Sequence, residues 1–212
     1  MLYVNGCSYA GFPNWSWGHN LANMLNKELH FAATPGKSNQ SIIRETITDL
    51  TRLKTITHVV ISLTFTNRFD VWYNNKIVSI NPGYNLEEIK DSEIQHYIKS
   101  RFLSDSSNLI LLDLFSSLVS LKYYVESLGA EFFVFWGANE IDILTNEELR
   151  DSLLSFKTIL DKNSFNLFDF NFCLYSFNKK YFSEETEKYK SHAHPPPSAH
   201  KKLAEMIYDR LK

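Results

Sequence analysis

Short apolar runs alternate along the chain with stripes at helical spacing. LYV at 2 to 4 predicts a strand. Residues 15 to 29 carry Trp17, Leu21, Met24 and Leu25 at helical spacing, and HFAA at 30 to 33 follows as a second short strand. SNQSIIRETITDLTRLK opens on a Ser/Asn cap signal and continues as an amphipathic helix. HVVISL at 58 to 63 is a short, β-branched run flanked by polar residues, the pattern of a buried parallel strand. The first third therefore predicts β-α-β-α-β.

From about Asp70 to Ser104 the rhythm changes. VWYNNKIVSI predicts two short strands about an Asn-Asn turn and the following stretch a polar helix, so 70 to 104 is expected to be an insertion in a single domain spanning 1 to 212. NLILLDLFSSLVSLKYYVESLG predicts a long, largely buried helix capped by Gly129, and EFFVFWG a fourth strand. A Thr-x-x-Glu capping box opens a helix near 145, NLFDFNFCLYSF is expected to hold a fifth strand, and SAHKKLAEMIYDRL to form the closing helix. The alternation predicts an α/β fold, a three-layer α/β/α sandwich about a mostly parallel, five-stranded central sheet.

Composition narrows the partners. A formal net charge of -2 and a pI near 6.4 provide no basic field for nucleic acid or an anionic membrane. Polar Asn5, Gly6 and Ser8 break the opening apolar run, so no signal peptide is expected, and no stretch approaches the roughly 20 apolar residues of a membrane helix. Two cysteines, Cys7 and Cys173, make neither a disulfide framework nor a metal cluster. These features predict a soluble cytoplasmic protein without cofactor, metal, membrane or nucleic-acid partner. They leave its oligomeric state open.

In open α/β sheets, ligands bind outside the carboxyl ends of the strands. The loops expected there hold Gly6-Cys7-Ser8, Thr34 to Asn39, Thr64 to Arg68 and Gly137-Ala138-Asn139-Glu140, and SHAHPPPSAH precedes the last helix. A serine on a turn after a strand becomes a nucleophile when a base lies within hydrogen-bond reach and backbone N–H groups face the developing oxyanion. His192, His194 and His200 are candidate bases from one late segment.

These blocks resemble the SGNH (GDSL-type) hydrolase family, in a variant where Gly-Cys-Ser stands for Gly-Asp-Ser. SWGHNLANML resembles the helix after the first block, TPGKSNQSI the second block, and HPPPSAHKKLAEMI the last, where His-Pro precedes the C-terminal helix. The resemblance implies a flavodoxin-like SGNH fold and a serine esterase acting on a carboxylic ester, such as an acyl group on a carbohydrate. It implies Ser8 as nucleophile, His194 as general base, and the N–H groups of Ser8 and Gly36 as oxyanion donors.

Two blocks depart from the family pattern. The third, Gly-x-Asn-Asp, is replaced by TFTNRFD, where Asn67 is the expected amide donor; a gapless reading substitutes Thr66, and GANE offers Asn139 after the fourth strand. The family acid stands two or three residues before the histidine, where this chain has His192 and Ser191. A Ser8–His194 dyad, a carboxylate such as Glu187, or loss of catalysis would each answer that gap. The alternatives to an esterase are therefore a silent glycan- or protein-binding domain and an acyltransferase using the same serine.

The plainer roles are also defined. Ser8 could cap the following helix, and Cys7 suits a small buried position beside a turn. Asn39 could cap the second helix or line the pocket. Arg68 reads as a surface or salt-bridge residue, with an anion clamp as the alternative. The histidine cluster lacks the companion ligands of a zinc site, and His200 is expected to be structural.

Overall fold

The computed structural model describes residues 1–10, 15–81, 89–104, 107–138, 150–160, 173–185 and 194–212. Four parallel strands form the central sheet in the order β2-β1-β3-β6: β1 is Leu2–Gly6, β2 Leu29–Phe31, β3 His58–Leu63 and β6 Glu131–Trp136. β1 and β3 are buried along their whole length, which is why both centre on short apolar runs, Leu2 to Val4 and Val59 to Ile61.

Side chains nevertheless alternate between two faces. Leu2, Val4, Val60, Phe133 and Phe135 meet α1 (Trp17–Leu25) and the C-terminal helix α7 (Pro197–Arg210). Tyr3, Val59, Ile61, Phe132 and Val134 meet α2 (Asn39–Leu50), α4 (Ser107–Ser127) and α5 (Arg150–Leu160). The result is the expected three-layer sandwich. Each fully buried Leu, Ile or Phe of these two cores contributes about 1.5–3 kcal/mol.

Local signals explain the boundaries. Ser16 caps α1 by accepting from His19 N, and Ser38 caps α2 by accepting from Ser41 N. α1 stops at Leu25 because Asn26 turns left-handed at φ 50°, which frees Leu29 for β2; periodicity alone had extended that helix to Leu29. Gly129, at φ 74°, follows α4 as predicted.

The sheet has four strands among the described residues, not five. Only Cys173 pairs beside β6, in a single parallel bridge with Trp136, and the backbone enters α6 (Leu174–Tyr181) at the next residue. Of the run at 166 to 177 that predicts a strand, 166 to 172 lie outside the described set, as does the capping box at 145 to 148, and 174 to 177 belong to α6.

After β3, β4 (Phe69–Tyr73) and β5 (Lys76–Ile80) form a separate antiparallel hairpin. Asn74 and Asn75 turn it at φ 50° and 58°, both left-handed as a two-residue primed turn requires. Phe69, Val71 and Ile80 pack with Ile89, Ile94 and Ile98 in a small core of their own, with α3 (Ser92–Ser104). No helix among the described residues is long and apolar enough to cross a membrane.

Candidate active site

Ser8 follows β1 at the carboxyl edge of the sheet, as the first residue of a 3-10 turn, Ser8–Ala10. The backbone reaches it through a tight passage: a Cβ on Gly6 would lie 3.0 Å from both Cβ and O of Ser62 and 3.2 Å from Ala10 Cβ. Ala10 N donates to Cys7 O at 2.9 Å and closes the turn. Ser8 is half-buried, and among the described residues nothing hydrogen-bonds its hydroxyl. It is not a helix cap, because Ser16 has that task. Cys7 is buried in the core under α1 and α7.

His194, just ahead of the proline run that opens α7, lies half-buried over the neighbouring Tyr9, ring centroids 5.1 Å apart and planes 29° from parallel. Tyr9 also meets Phe65 and Tyr175 edge-on, at 6.4 and 6.3 Å. Burial above all, with Cys7, Tyr175 and Cys173 nearby, pushes the Tyr9 hydroxyl well above its ordinary pKa, so the ring is a neutral platform. The first and last motifs of the chain thus share one aromatic contact. No hydrogen bond joins Ser8 to His194 in this state, and such bonds commonly tighten only with substrate in place.

His200 has a different setting. It is 1% exposed, its Nδ1 accepts from Trp17 N at 3.2 Å, and Trp15 meets it edge-on at 5.2 Å. Burial, with a smaller contribution from His194, lowers its pKa to about 3, so it ties α7 to α1 as a neutral ring. Glu187, Ser191 and His192 lie outside the described residues, as does Asn139.

Gly36, in the loop between β2 and α2, has φ 84°, a value that suits the Pro35-Gly36 order of a type II turn. Lys37 anchors that loop from beneath. Its buried Nζ donates to Ala32 O at 2.6 Å and to Asn5 Oδ1 at 3.1 Å, and pairs with Glu45. Asn5 Oδ1 also accepts from Gly6 N at 2.8 Å, while its Nδ2 faces Ile42 O, Thr46 Oγ1 and Tyr3 OH. One buried amide therefore couples the Ser8 turn to the Gly36 turn. Neither Asn5 nor Lys37 was a sequence candidate; a lone asparagine inside a fully buried strand was the available signal, since a buried amide must find partners.

Asn39 caps nothing. Its Oδ1 accepts from Thr64 N at 2.8 Å and its Nδ2 donates to Thr64 O at 3.1 Å, which fixes the loop after β3 to the start of α2. Asn67 is exposed and Thr66 half-buried; with Asn39 and Arg68 they line a cavity of about 590 Å³ that continues between α2 and α4. Arg68 is not at the surface, and among the described residues it makes no salt bridge. It is 9% exposed, donates through Nη1 to Thr64 Oγ1 at 3.0 Å, and lies 5.0 Å from the Phe65 ring centroid.

Beside this edge, Asp70 binds the hairpin to α2. Its carboxylate accepts from Ser38 Oγ at 2.6 Å, Ser79 Oγ at 2.7 Å, Ser41 Oγ at 2.9 Å and Arg44 Nη1 at 2.7 Å. Burial alone would raise its pKa, but the combined hydrogen bonds from Ser38, Arg44, Ser79 and Ser41 hold it below the ordinary carboxylate range. No group of three or more potential metal ligands occurs among the described residues.

No family model and no curated protein matches the chain. Solved structures do. A G-D-S-L family protein from Desulfitobacterium hafniense DCB-2 is 13% identical, with 99% of this chain and 98% of that one aligned at a TM-score of 0.50. TesA is 13% identical, with 100% and 97% aligned at 0.53. The chain has the SGNH hydrolase fold. A third structure, the psychrotrophic esterase EstA from Pseudoalteromonas sp., is 12% identical, with 99% and 93% aligned at 0.50. On this SGNH scaffold the candidate residues gather at the carboxyl edge of the sheet: Ser8 after β1, Gly36 after β2, Thr66 and Asn67 after β3, and His194 against Tyr9.

Proposed function

We propose that the chain is a serine esterase, with Ser8 as nucleophile and His194 as general base. The observation that carries this reading is the meeting of the two ends of the chain. The Ser8 turn, with an unengaged hydroxyl, lies beside the ring of His194 through the Tyr9 stack, on an SGNH scaffold. The esterase EstA, which shares the fold, supports the same reaction class.

In this reaction Ser8 Oγ attacks the ester carbonyl as its proton passes to His194. The tetrahedral oxyanion is met by the N–H groups of Ser8 and Gly36 and by the amide of Asn67. Collapse breaks the ester C–O bond, and His194 returns the proton to the departing alcohol. Water, deprotonated by His194, then cleaves the acyl-serine and regenerates both groups. The Asn5 and Lys37 network would hold the two oxyanion turns in register during both steps. The substrates proposed are small-molecule or glycan carboxylic esters.

Steady-state kinetics on a 4-nitrophenyl acetate screen test the assignment. Ser8→Ala is expected to lower kcat by about 10⁴-fold or more, and His194→Ala by a similar factor, because nucleophile and base act as a unit. Activity in both variants within tenfold of wild type would exclude them from the chemistry.

A further inference from the structure

Arg68 has no task in that reaction, and its surroundings do not account for it. The side chain is 9% exposed, yet no carboxylate among the described residues pairs with it. Asp113 lines the same cavity without reaching it, Glu45 is taken by Lys37, and Asp70 by Arg44. Nη1 donates to Thr64 Oγ1 at 3.0 Å and grazes Lys37 O at 3.5 Å, while Nε is buried with no partner among the described residues. The Phe65 ring, 5.0 Å away, offers only a partial counter to the charge.

A guanidinium stays protonated at any working pH, and a buried cation without a counterion is costly to hold. Thr64 occupies the Nη1 side. What is left is the Nη2 end: Nε is closed off from solvent, so a carboxylate meets the guanidinium through its Nη2 N–H groups and its charge. The position is as telling as the chemistry. Arg68 shares its cavity, about 590 Å³ and within the range of small-ligand sites, with Thr66 and Asn67. The lining holds the oxyanion donor Asn67 but none of Ser8, Gly36, Tyr9 or His194, so the cavity adjoins the site on the side of the ester carbonyl rather than of the histidine that protonates the alcohol, and the acyl chain is assigned to it.

We propose that Arg68 is an anion subsite, and that the preferred substrate is an ester whose acyl chain ends in a carboxylate seated at the Nη2 end of the guanidinium. This rests on the assignment of Ser8 as nucleophile and specifies the substrate class for it. Arg68 is then a specificity residue, in contact with substrate but outside the bond-making steps.

Two probes differing only in charge test it: the 4-nitrophenyl monoester of adipic acid and its neutral methyl ester. Wild type is expected to favour the anionic ester in kcat/KM by about tenfold or more, and Arg68→Met to bring that ratio close to one. Arg68→Lys, which keeps the charge and loses the planar guanidinium, should give an intermediate ratio. The ratio is internal to each variant, so partial misfolding does not imitate the effect. A Ser8-dependent activity with no charge preference would overturn the subsite while leaving the esterase reading intact. If neither ester is cleaved, calorimetric titration of monomethyl adipate into Ser8→Ala decides separately: binding lost in Ser8→Ala/Arg68→Met upholds the subsite, and no binding to Ser8→Ala overturns it.

Discussion

Replacing Asp70 by Asn tests how the β4–β5 hairpin is held against the site. The carboxylate, 9% exposed, accepts from three serine hydroxyls and from Arg44, and one of those hydroxyls, Ser38, also caps α2 beside the Gly36 turn. Asn keeps one acceptor oxygen and the shape, and serines can rotate to face the new amide. The Arg44 ion pair is lost. Breaking a buried pair costs about 3–5 kcal/mol, but Arg44 is 41% exposed and keeps access to water, so about 2–3 kcal/mol is expected. Urea unfolding of wild type and Asp70→Asn at pH 7, compared at equal m-value, measures this. The pH dependence has a defined sign. The folded pKa lies below the unfolded one, so the carboxylate's contribution is full above the unfolded pKa of about 3.9 and is lost as pH falls through the folded value. The wild-type advantage should be flat from pH 5 to 8 and shrink below about pH 4. A difference under about 0.5 kcal/mol at pH 7, or an advantage that fades by pH 6, would refute the reasoning.

Three further outcomes are expected. Gly137→Ala would put a Cβ 2.3 Å from Ser62 Oγ and 2.9 Å from Leu63 O, and should cost about 1–3 kcal/mol in urea unfolding. Because Ser62 Oγ has no partner, Ser62→Ala alone should be nearly neutral and should recover part of the Gly137→Ala loss; equal losses in the single and double variants would contradict this packing. His200, neutral down to about pH 3 in the folded state, should show no imidazole shift in an NMR titration from pH 7.5 to 5, and its contribution to stability, full above the unfolded pKa, should fade as pH drops from about 6.5 towards 3. Gly36→Ala meets no atom within 4 Å, so a loss of about 1–2 kcal/mol in thermal unfolding would come from φ 84° alone.

Elements set by local pattern were legible in the sequence. HVVISL and EFFVFW could be placed as strands because parallel strands covered on both faces carry short apolar runs without alternation, and Asn74-Asn75 marked the hairpin turn. The end of α1 was misjudged because Leu29, four residues after Leu25, falls on its apolar stripe, while one left-handed asparagine decides the boundary. The run expected to hold a fifth strand ends sooner than its apolar pattern suggests, because an aromatic run fits a buried helix as well as a strand and α6 takes 174 to 177; 166 to 172 lie outside the described residues.

Motif order made Ser8, Gly36 and His194 candidates, but it could not show what joins them. The stack of His194 on Tyr9 and the coupling of both turns through Asn5 are contacts between residues far apart in sequence. Arg68 and Asn39 illustrate the same limit from the other side. An arginine in a polar loop reads as exposed until the fold buries it, and an asparagine after a cap serine reads as part of the cap until Thr64 arrives beside it.

The most direct test of the central claim is labelling with a fluorophosphonate probe, with the modified residue located by peptide mass spectrometry. The account predicts one adduct, on Ser8, absent from Ser8→Ala and sharply reduced in His194→Ala. Absence of labelling in folded wild type from neutral to alkaline pH, or an adduct on another residue that persists in Ser8→Ala, would contradict it.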